Sequence, residues 1–269
     1  MFNLKYVTFM RKNSLLFTLV AVVACLSCAL GMNAQSQVIR GDVDLDGNVN
    51  IGDVVTLINY LLTDQWPDDD PHGWVDLGLP SGTLWATCNV GADSPEAYGD
   101  YFAWGETEPK EVYDWSTYKW CNGSDDMLTK YCNDSSFGYN GFVDYKTELE
   151  SEDDAAYVNW GPKWRMPSLE QIKELLHYCT TTWTTQNGVY GRLVTGPNGN
   201  TMFLPTAGYR WNASLYNAGS YGDYWSRTLG SSDPTCAYYL FFYSGGMFWL
   251  DNYNRNNGHT VRAVRVSQN

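Results

Sequence analysis

Oxygen-bearing side chains between residues 42 and 53 follow the spacing of a twelve-residue calcium loop. Alternate positions supply carboxylates and amides that can fold inward around a hard cation, and Gly47 allows the sharp turn at the loop centre. Asp53 closes the shell from the first turn of a following helix, where its negative charge suits the helix dipole. The predicted ligands are Asp42, Asp44, Asp46, Asn48 through its backbone carbonyl, Asn50 and Asp53. We therefore expect Ca²⁺ as the cofactor.

Two later stretches combine aromatic rings with amide and carboxylate side chains, a composition typical of carbohydrate-binding surfaces. Flat rings stack on sugar faces, and Asn or Asp side chains hydrogen-bond hydroxyl groups. The alternative is that these rings belong to the core, as we expect for the tryptophans in or beside predicted strands, Trp85, Trp104, Trp164 and Trp225. The predicted ligand-binding residues are Tyr209, Trp211, Asn212, Tyr216, Trp249, Asp251 and Tyr253.

No residue pattern indicates catalysis. His177 and Cys179 lie two positions apart on a predicted helix, so their side chains point to different faces and cannot form a nucleophile–base pair. Paired carboxylates suited to glycoside hydrolysis could converge, but no spacing singles out a pair. We predict no catalytic residues and a non-enzymatic protein, with a polysaccharide-degrading or accessory enzyme and a structural surface subunit as alternatives.

The bulk composition predicts a folded, acidic protein. Of 269 residues, 44% are hydrophobic and 16% aromatic, which is ample for a packed core. The formal net charge of -13 repels nucleic acid and anionic lipid, so we expect no nucleic-acid partner. The charge suits a protein that binds a cation or a neutral ligand.

The chain divides into segments of different character. Basic residues at positions 5, 11 and 12 precede an apolar run over 15–25, which is too short for a membrane span but typical of a secretory signal. Residues 66–71, WPDDDP, predict a linker because prolines and clustered acids do not pack as a helix. We predict a signal peptide over 1–35, a calcium-binding repeat over 36–65, a linker over 66–72 and a second domain over 73–269.

The signal predicts export, either to the medium or to the cell surface, with no membrane-spanning segment in the mature chain. A lipid anchor at Cys25 is the alternative, because Val22–Cys25 resembles the lipobox of a bacterial lipoprotein. In such a compartment disulfides are stable, and Cys121 and Cys132, in one Asn/Asp/Ser-rich loop, are the expected pair.

The second domain alternates short predicted strands with loops. One helix is indicated after Pro167 by a capping box of Ser168 and Gln171 and by an apolar stripe that ends at Cys179. Asn198-Gly199 predicts a hairpin turn, and 122–153 predicts long loops. The predicted strands are 74–77, 83–90, 101–104, 189–195, 201–205, 224–228, 237–243, 247–251 and 260–266.

The segment from Gly41 to about Leu62, GDVDLDGNVNIGDVVTLINYLL, resembles a dockerin type I repeat, a calcium loop followed by a helix. Dockerins attach bacterial polysaccharide-degrading proteins to cohesin domains and normally carry two such repeats. Residues 64–70, DQWPDDD, lack the alternation and the glycine of a second repeat. The resemblance implies a cohesin-like partner or a second dockerin-like repeat from another chain. The alternatives are that the lone repeat packs on the following domain or serves as a calcium-stiffened spacer.

The second domain resembles the major paralogous domain named from Fibrobacter succinogenes, found on surface proteins of gut Bacteroidetes. The resemblance rests on LGLPSGTLWATCNVGA at 77–92, YGDYFAWGE at 98–106, WRMPSLE at 164–170, YWS at 224–226 and VRAVR at 261–265. It implies an α+β, C-type-lectin-like fold of short antiparallel strands with one or two helices and long loops. The family has no established activity; the aromatic and amide stretches predict a glycan or surface-protein partner, and with the dockerin-like repeat they predict a role in polysaccharide catabolism.

The same resemblance argues against two activities of that fold. Formylglycine-generating enzymes need a reactive cysteine pair near the C-terminus, where this sequence has only Cys236. The motif of calcium-dependent lectins is not met either, because Glu108-Pro109 is followed by Lys110 rather than Asn. We therefore expect any sugar binding in the second domain to be calcium-independent.

Overall fold

The computed structural model describes residues 70–266 together with Val49, Val54 and Leu57; the side chains of residues 250–252 and 266 are outside that description. The chain divides into two compact units, 1–69 and 70–269. In the first unit Val49 is exposed, and Val54 and Leu57 have helical backbone. The predicted signal peptide and all six predicted calcium ligands lie outside the described residues. No helix in the described part of the chain is long and apolar enough to cross a membrane.

The second unit is built from small antiparallel sheets. Every pairing between its named strands is antiparallel, as predicted for a β-rich α+β fold. The sheets have the strand orders β1-β2-β11, β3-β4-β5, β6-β7 and β8-β9-β10. The strands are β1 Trp74–Asp76, β2 Thr83–Ala86, β3 Thr180–Gln186, β4 Val189–Thr195, β5 Thr201–Pro205, β6 Tyr209–Trp211, β7 Ser214–Tyr216, β8 Gly222–Leu229, β9 Cys236–Tyr243, β10 Gly246–Asn254 and β11 Val264–Val266.

Two α-helices precede the central strands, α1 (Ala155–Trp160) and α2 (Leu169–Tyr178). The predicted capping box of α2 is confirmed: Ser168 accepts from the Gln171 backbone N–H at 3.2 Å, and the Gln171 side chain accepts from the Ser168 N–H at 2.9 Å. Helix α1 was not predicted; its N-cap, Asp154, accepts from two N–H groups of the first turn. The caps fix where both helices begin.

The β8–β9–β10 sheet separates two hydrophobic clusters, because alternate side chains of each strand point to opposite faces. One face packs against α2 and β5 through residues such as Leu240 and Phe242. The other face, with Trp225 and Tyr239, joins the cluster around Trp104, and this cluster includes Trp164. All four tryptophans predicted to be core residues are buried: Trp85, Trp104, Trp164 and Trp225.

The predicted hairpin between β4 and β5 is confirmed, with Gly199 at a φ of 87° in its turn. The strand predicted over 101–104 is wrong: Phe102 forms only an isolated bridge to His259. The reason is an irregular pairing, since Trp104 donates to the carbonyl of Arg255 while Phe102 donates to that of His259. The three residues 102–104 therefore face the five residues 255–259, which breaks a regular ladder.

The loop over 122–153 contains only two short 3₁₀ turns, Tyr139–Gly141 and Ser151–Asp153, in agreement with the predicted loops. The disulfide predicted within it is wrong, because Cys121 and Cys132 are both free thiols. The Cys121 thiol donates to the carbonyl of Trp115 at 3.0 Å, and the Cys132 thiol donates to that of Asp134 at 3.1 Å. Each sulfur is therefore directed toward its own neighbouring backbone rather than toward the other.

Residues 70–72, from the segment predicted as a linker, pack into the second unit. Asp70 accepts from the His72 ring at 2.8 Å and from the Trp164 indole, and it lies 3.6 Å from Arg265 of β11. The His72 ring stacks on Trp160 with centroids 4.1 Å apart. These contacts fix the start of the unit against α1 and β11.

Candidate functional site

Strand alternation places a row of aromatic rings on one side of the β9–β10 hairpin. Tyr239, Phe241 and Tyr243 occupy alternate positions of β9, and Phe248 of β10 lies opposite Phe241. Tyr239 is buried in the core, Phe241 is half-buried, and the last two rings are exposed. The row therefore runs from the core outward to the hairpin turn, where Tyr243 and Phe248 lie 6.4 Å apart.

The β6–β7 hairpin brings a second set of rings. Tyr209 stacks on Tyr216 with centroids 5.6 Å apart, and Trp211 lies 5.8 Å from Tyr216. Two pairs of backbone hydrogen bonds hold β6 in place, one pair between Asn212 and Tyr113 and one between residues 210 and 258. The hairpin is thus attached to the body of the unit while its β7 side chains are exposed.

Ring contacts join the two sets into one surface. Tyr253 lies edge-on to Tyr209 at 5.1 Å and to Tyr239 at 5.2 Å, and Tyr239 lies 6.3 Å from Phe241. Tyr221 packs edge-on to Phe241 at 5.3 Å. We call this surface the aromatic face; its residues are Tyr209, Trp211, Tyr216, Tyr221, Tyr239, Phe241, Tyr243, Phe248 and Tyr253.

A buried carboxylate lies beneath the aromatic face. Asp223 of β8 stands opposite Phe241 and is 1% exposed. Its Oδ2 atom makes no hydrogen bond within the described part of the chain. Burial raises the pKa of Asp223 from 3.8 to about 7, because the charged form is poorly solvated there.

A buried imidazole lies close to the same rings. His259 stacks on Trp225 with centroids 3.9 Å apart, and the rings of Tyr253 and Tyr239 lie at 4.7 and 5.1 Å. Neither ring nitrogen has a hydrogen-bond partner among the described residues. Burial lowers the pKa of His259 well below 6.5, so the imidazole is neutral at physiological pH.

The aromatic face gathers most of the residues predicted to bind a ligand. Tyr209, Trp211, Tyr216 and Tyr253 belong to it, and Asn212 is exposed at the tip of the β6–β7 hairpin. Trp249 lies on the opposite side of β10, because it faces Leu240 and contacts Tyr238 at 5.8 Å. The side chain of Asp251 is outside the description.

Sequence reasoning missed Asp223, Tyr239, Phe241, Tyr243 and His259 as parts of one arrangement. The aromatic residues at positions 239, 241 and 243 of β9 were a usable signal for three of them, because alternate residues of a strand share a face. A parallel bridge between Tyr224 and Thr260 joins the segments that carry Asp223 and His259, and no local pattern marks that pairing.

Several other titratable groups of the second unit have structural contacts or are buried. Glu106 pairs with Lys110 at 2.9 Å, and Glu170 pairs with Lys173 at 2.8 Å. Burial raises the pKa of the Cys179 thiol to about 11, which disfavours a reactive thiolate. No group of three or more His, Cys, Asp or Glu side chains among the described residues is placed to hold a metal.

Comparison with known proteins gives one match. The family model described as the dockerin type I domain matches residues 40–76, which contain the predicted calcium loop and extend to the end of β1. No curated protein and no solved structure matches the chain. The match thus covers the N-terminal part of the chain, including Asp42 to Asp53, and does not extend over the rest of the second unit.

Proposed function

We propose that this chain is an exported, non-catalytic glycan-binding protein of a polysaccharide-utilising assembly. The second unit binds carbohydrate through the aromatic face. The dockerin-like segment binds Ca²⁺ and attaches the protein to a cohesin-type partner.

The observation that carries the proposal is the exposure and continuity of the aromatic face. Trp211 is 48% exposed and Phe248 45% exposed, yet both belong to one connected set of rings. A soluble protein rarely leaves such a set in water without a ligand or partner. Asn212 and Asn217 are exposed near these rings and offer both donors and acceptors for hydroxyl groups.

The donor chemistry of residues 42–53 supports the calcium part of the proposal. Asp and Asn oxygens at alternating positions are the ligands that Ca²⁺ prefers, and Gly47 suits the turn. The dockerin match over 40–76 supports the same assignment. Bound calcium would order the loop and fix the start of the following helix, which is the surface a dockerin presents to its partner.

The contacts of the remaining candidate groups support a non-catalytic role. Burial alone raises the pKa of Asp223, and Asp100, whose pKa is raised by burial and by the nearby charge of Glu108, does not belong to the aromatic face. A glycoside hydrolase would need two carboxyl groups facing one another across the sugar. The aromatic face offers stacking surfaces and hydrogen bonds instead.

Glycan retention by the full mature chain tests the proposal. We expect immobilised polysaccharides, screened as an array of plant and microbial glycans, to retain the protein. Trp211→Ala should weaken retention at least about tenfold, since stacking rings dominate such sites. Tyr178→Ala is the matched control, because Tyr178 is also 48% exposed but lies at the end of α2.

The outcomes separate the alternatives. If no glycan retains the protein, the proposal is overturned. If the protein is a dimer in solution and Trp211→Ala makes it a monomer, the aromatic face is a structural contact between copies. Release of shortened oligosaccharides from a retained glycan would favour the enzyme alternative. Calorimetric titration of chelator-treated protein with calcium should give heat that Asp44→Ala removes; no heat up to millimolar calcium contradicts the docking role.

A further inference from the structure

Asp223 is an exception among the buried acids of the second unit. Asp153 accepts from the Tyr131 hydroxyl and from Lys130, each at 2.6 Å. Asp154 accepts from the Arg165 side chain at 2.8 Å and from three backbone N–H groups. A buried carboxylate without partners costs several kcal/mol in general, so one that persists calls for a functional explanation.

Among the described residues, no cation of the neighbouring elements has an ion pair with this carboxylate. Arg210 of β6 lies over the Tyr101 ring at 5.1 Å. Arg262 donates to Asn89 at 2.8 Å, and Arg255 donates to the carbonyl of Tyr131 at 2.7 Å. The titratable groups around Asp223 are tyrosines 101, 224, 239 and 253, whose pKa values are all raised, chiefly by burial.

The unpartnered groups lie at the inner end of a path of rings from the surface. Tyr216 is exposed, Tyr209 and Tyr253 are half-buried, and His259 is buried behind them. The β9–β10 register shifts between Leu250 and Tyr253, so Tyr253 enters from an irregular part of the strand. Such irregularities are common next to active sites, where they interrupt the ladder locally and re-aim a side chain.

We propose that Asp223 and His259 form the polar floor of a subsite for one uncharged sugar ring, reached when the Tyr253 ring swings outward. The carboxylate accepts a hydrogen bond from a sugar hydroxyl, and the imidazole donates one and accepts one. This inference rests on the proposed glycan-binding function and names the ligand class of that surface.

The chemistry of the floor selects hydroxyl groups over ions. A neutral imidazole has one donor and one acceptor, and a carboxylate has only acceptors. A hydroxyl group both donates and accepts, so a vicinal diol satisfies this set, whereas an ammonium group can only donate. An acidic sugar places a second negative charge beside Asp223 in a poorly solvated region, and the two charges repel strongly there.

A matched pair of polysaccharides tests the selection. Polygalacturonate and its carboxyl-reduced form share one backbone and differ in charge; both are immobilised beside neutral mannan, xyloglucan and starch. We expect the wild-type full chain to bind at least one neutral glycan and to favour carboxyl-reduced over acidic polygalacturonate at least about tenfold. Asp223→Asn, which keeps the shape, should bring that ratio within about threefold and weaken binding of the neutral glycan.

The control is Asp125→Asn, which removes the same charge from an exposed loop position and should leave the ratio unchanged. A second readout is the pH profile: wild-type affinity for the neutral glycan should rise between pH 6 and 8 as Asp223 ionises, and it should stay flat in Asp223→Asn. Near-ultraviolet circular dichroism verifies that each variant is folded.

The failures of the two proposals are distinguishable. If Trp211→Ala abolishes binding while Asp223→Asn keeps the wild-type affinity, ratio and pH profile, the aromatic face binds glycans and the polar floor does not. A wild-type preference for acidic polygalacturonate overturns the floor in the same way. If no glycan is bound by wild type, the proposed function fails and this inference fails with it.

Discussion

Replacing Asp223 with Asn should change how the stability of the second unit depends on pH. Burial raises the pKa of Asp223 from 3.8 to about 7 in the folded protein. Between these two values the folded state holds a proton that the unfolded state has lost. The unfolded state binds fewer protons there, so the stability contributed by this group falls as pH rises, and the loss is complete above about pH 7. An Asn at this position does not titrate.

The magnitude follows from the distance between the two pKa values. At about 1.36 kcal/mol for each pKa unit, the wild-type protein loses about 4 kcal/mol through this group between pH 4 and pH 8. Solvent screening hardly lowers this free energy, because Asp223 is only 1% exposed. The free energy of unfolding of Asp223→Asn, relative to wild type, should therefore increase by about 4 kcal/mol over that pH range.

Urea unfolding of both full-length proteins, followed by tryptophan fluorescence at a series of pH values and at constant calcium concentration, measures this difference. Comparing the difference rather than the absolute values removes the contribution of the other titrating groups. Asp125→Asn, at an exposed position, should show no such trend. A difference that stays flat, or that falls as pH rises, would refute the reasoning by showing that the carboxylate is well solvated or paired in solution.

Three further predictions concern the framework around the site. Asp154→Ala should lower the free energy of unfolding by about 3 kcal/mol or more, because it removes the α1 cap and leaves the guanidinium of Arg165 without its carboxylate. Urea unfolding measures this loss, and a loss below about 1 kcal/mol would contradict the prediction. Gly258→Ala should lower the free energy of unfolding by about 1–3 kcal/mol, because a Cβ atom would lie 2.5 Å from the buried Tyr113 ring. A melting temperature equal to that of wild type would contradict this packing. Mass spectrometry of the unreduced, alkylated protein should find Cys121 and Cys132 as separate thiols, whereas a linked peptide pair would contradict the structure.

Local signals in the sequence predict the parts of the fold that are determined locally. The capping box at Ser168 sets the start of α2, and the Asn198-Gly199 turn sets the β4–β5 register. Strand β3, TTTWTTQ, was missed because its polar threonines do not alternate with apolar residues; it is held as the partner of β4. Strands β6 and β7 were missed because each has three residues; β6 and the adjoining Asn212 are bridged to distant segments, and β7 pairs with β6.

The candidate site also has a part that could be predicted from local sequence and a part that could not. Its outer rings, Trp211 and Tyr216, were predictable because aromatic residues clustered with amides are visible in the sequence. The floor was not predictable, because Asp223 and His259 are far apart along the chain and their segments are joined only by the bridge between Tyr224 and Thr260. Trp249 was assigned to the same surface as Tyr253 because the irregular register between them cannot be read from composition.

The small β1-β2-β11 sheet has a mechanical consequence. Both outer strands run antiparallel to β2, with Trp74 at the Ala86 end of β2 and Val266 at the Thr83 end. Tension between the chain entering β1 and the chain leaving β11 therefore pulls along the strands in opposite directions and loads their hydrogen bonds in shear, all at once rather than one by one. A unit pulled at both ends under fluid drag would resist extension more strongly in this geometry than in one where its end strands peel apart.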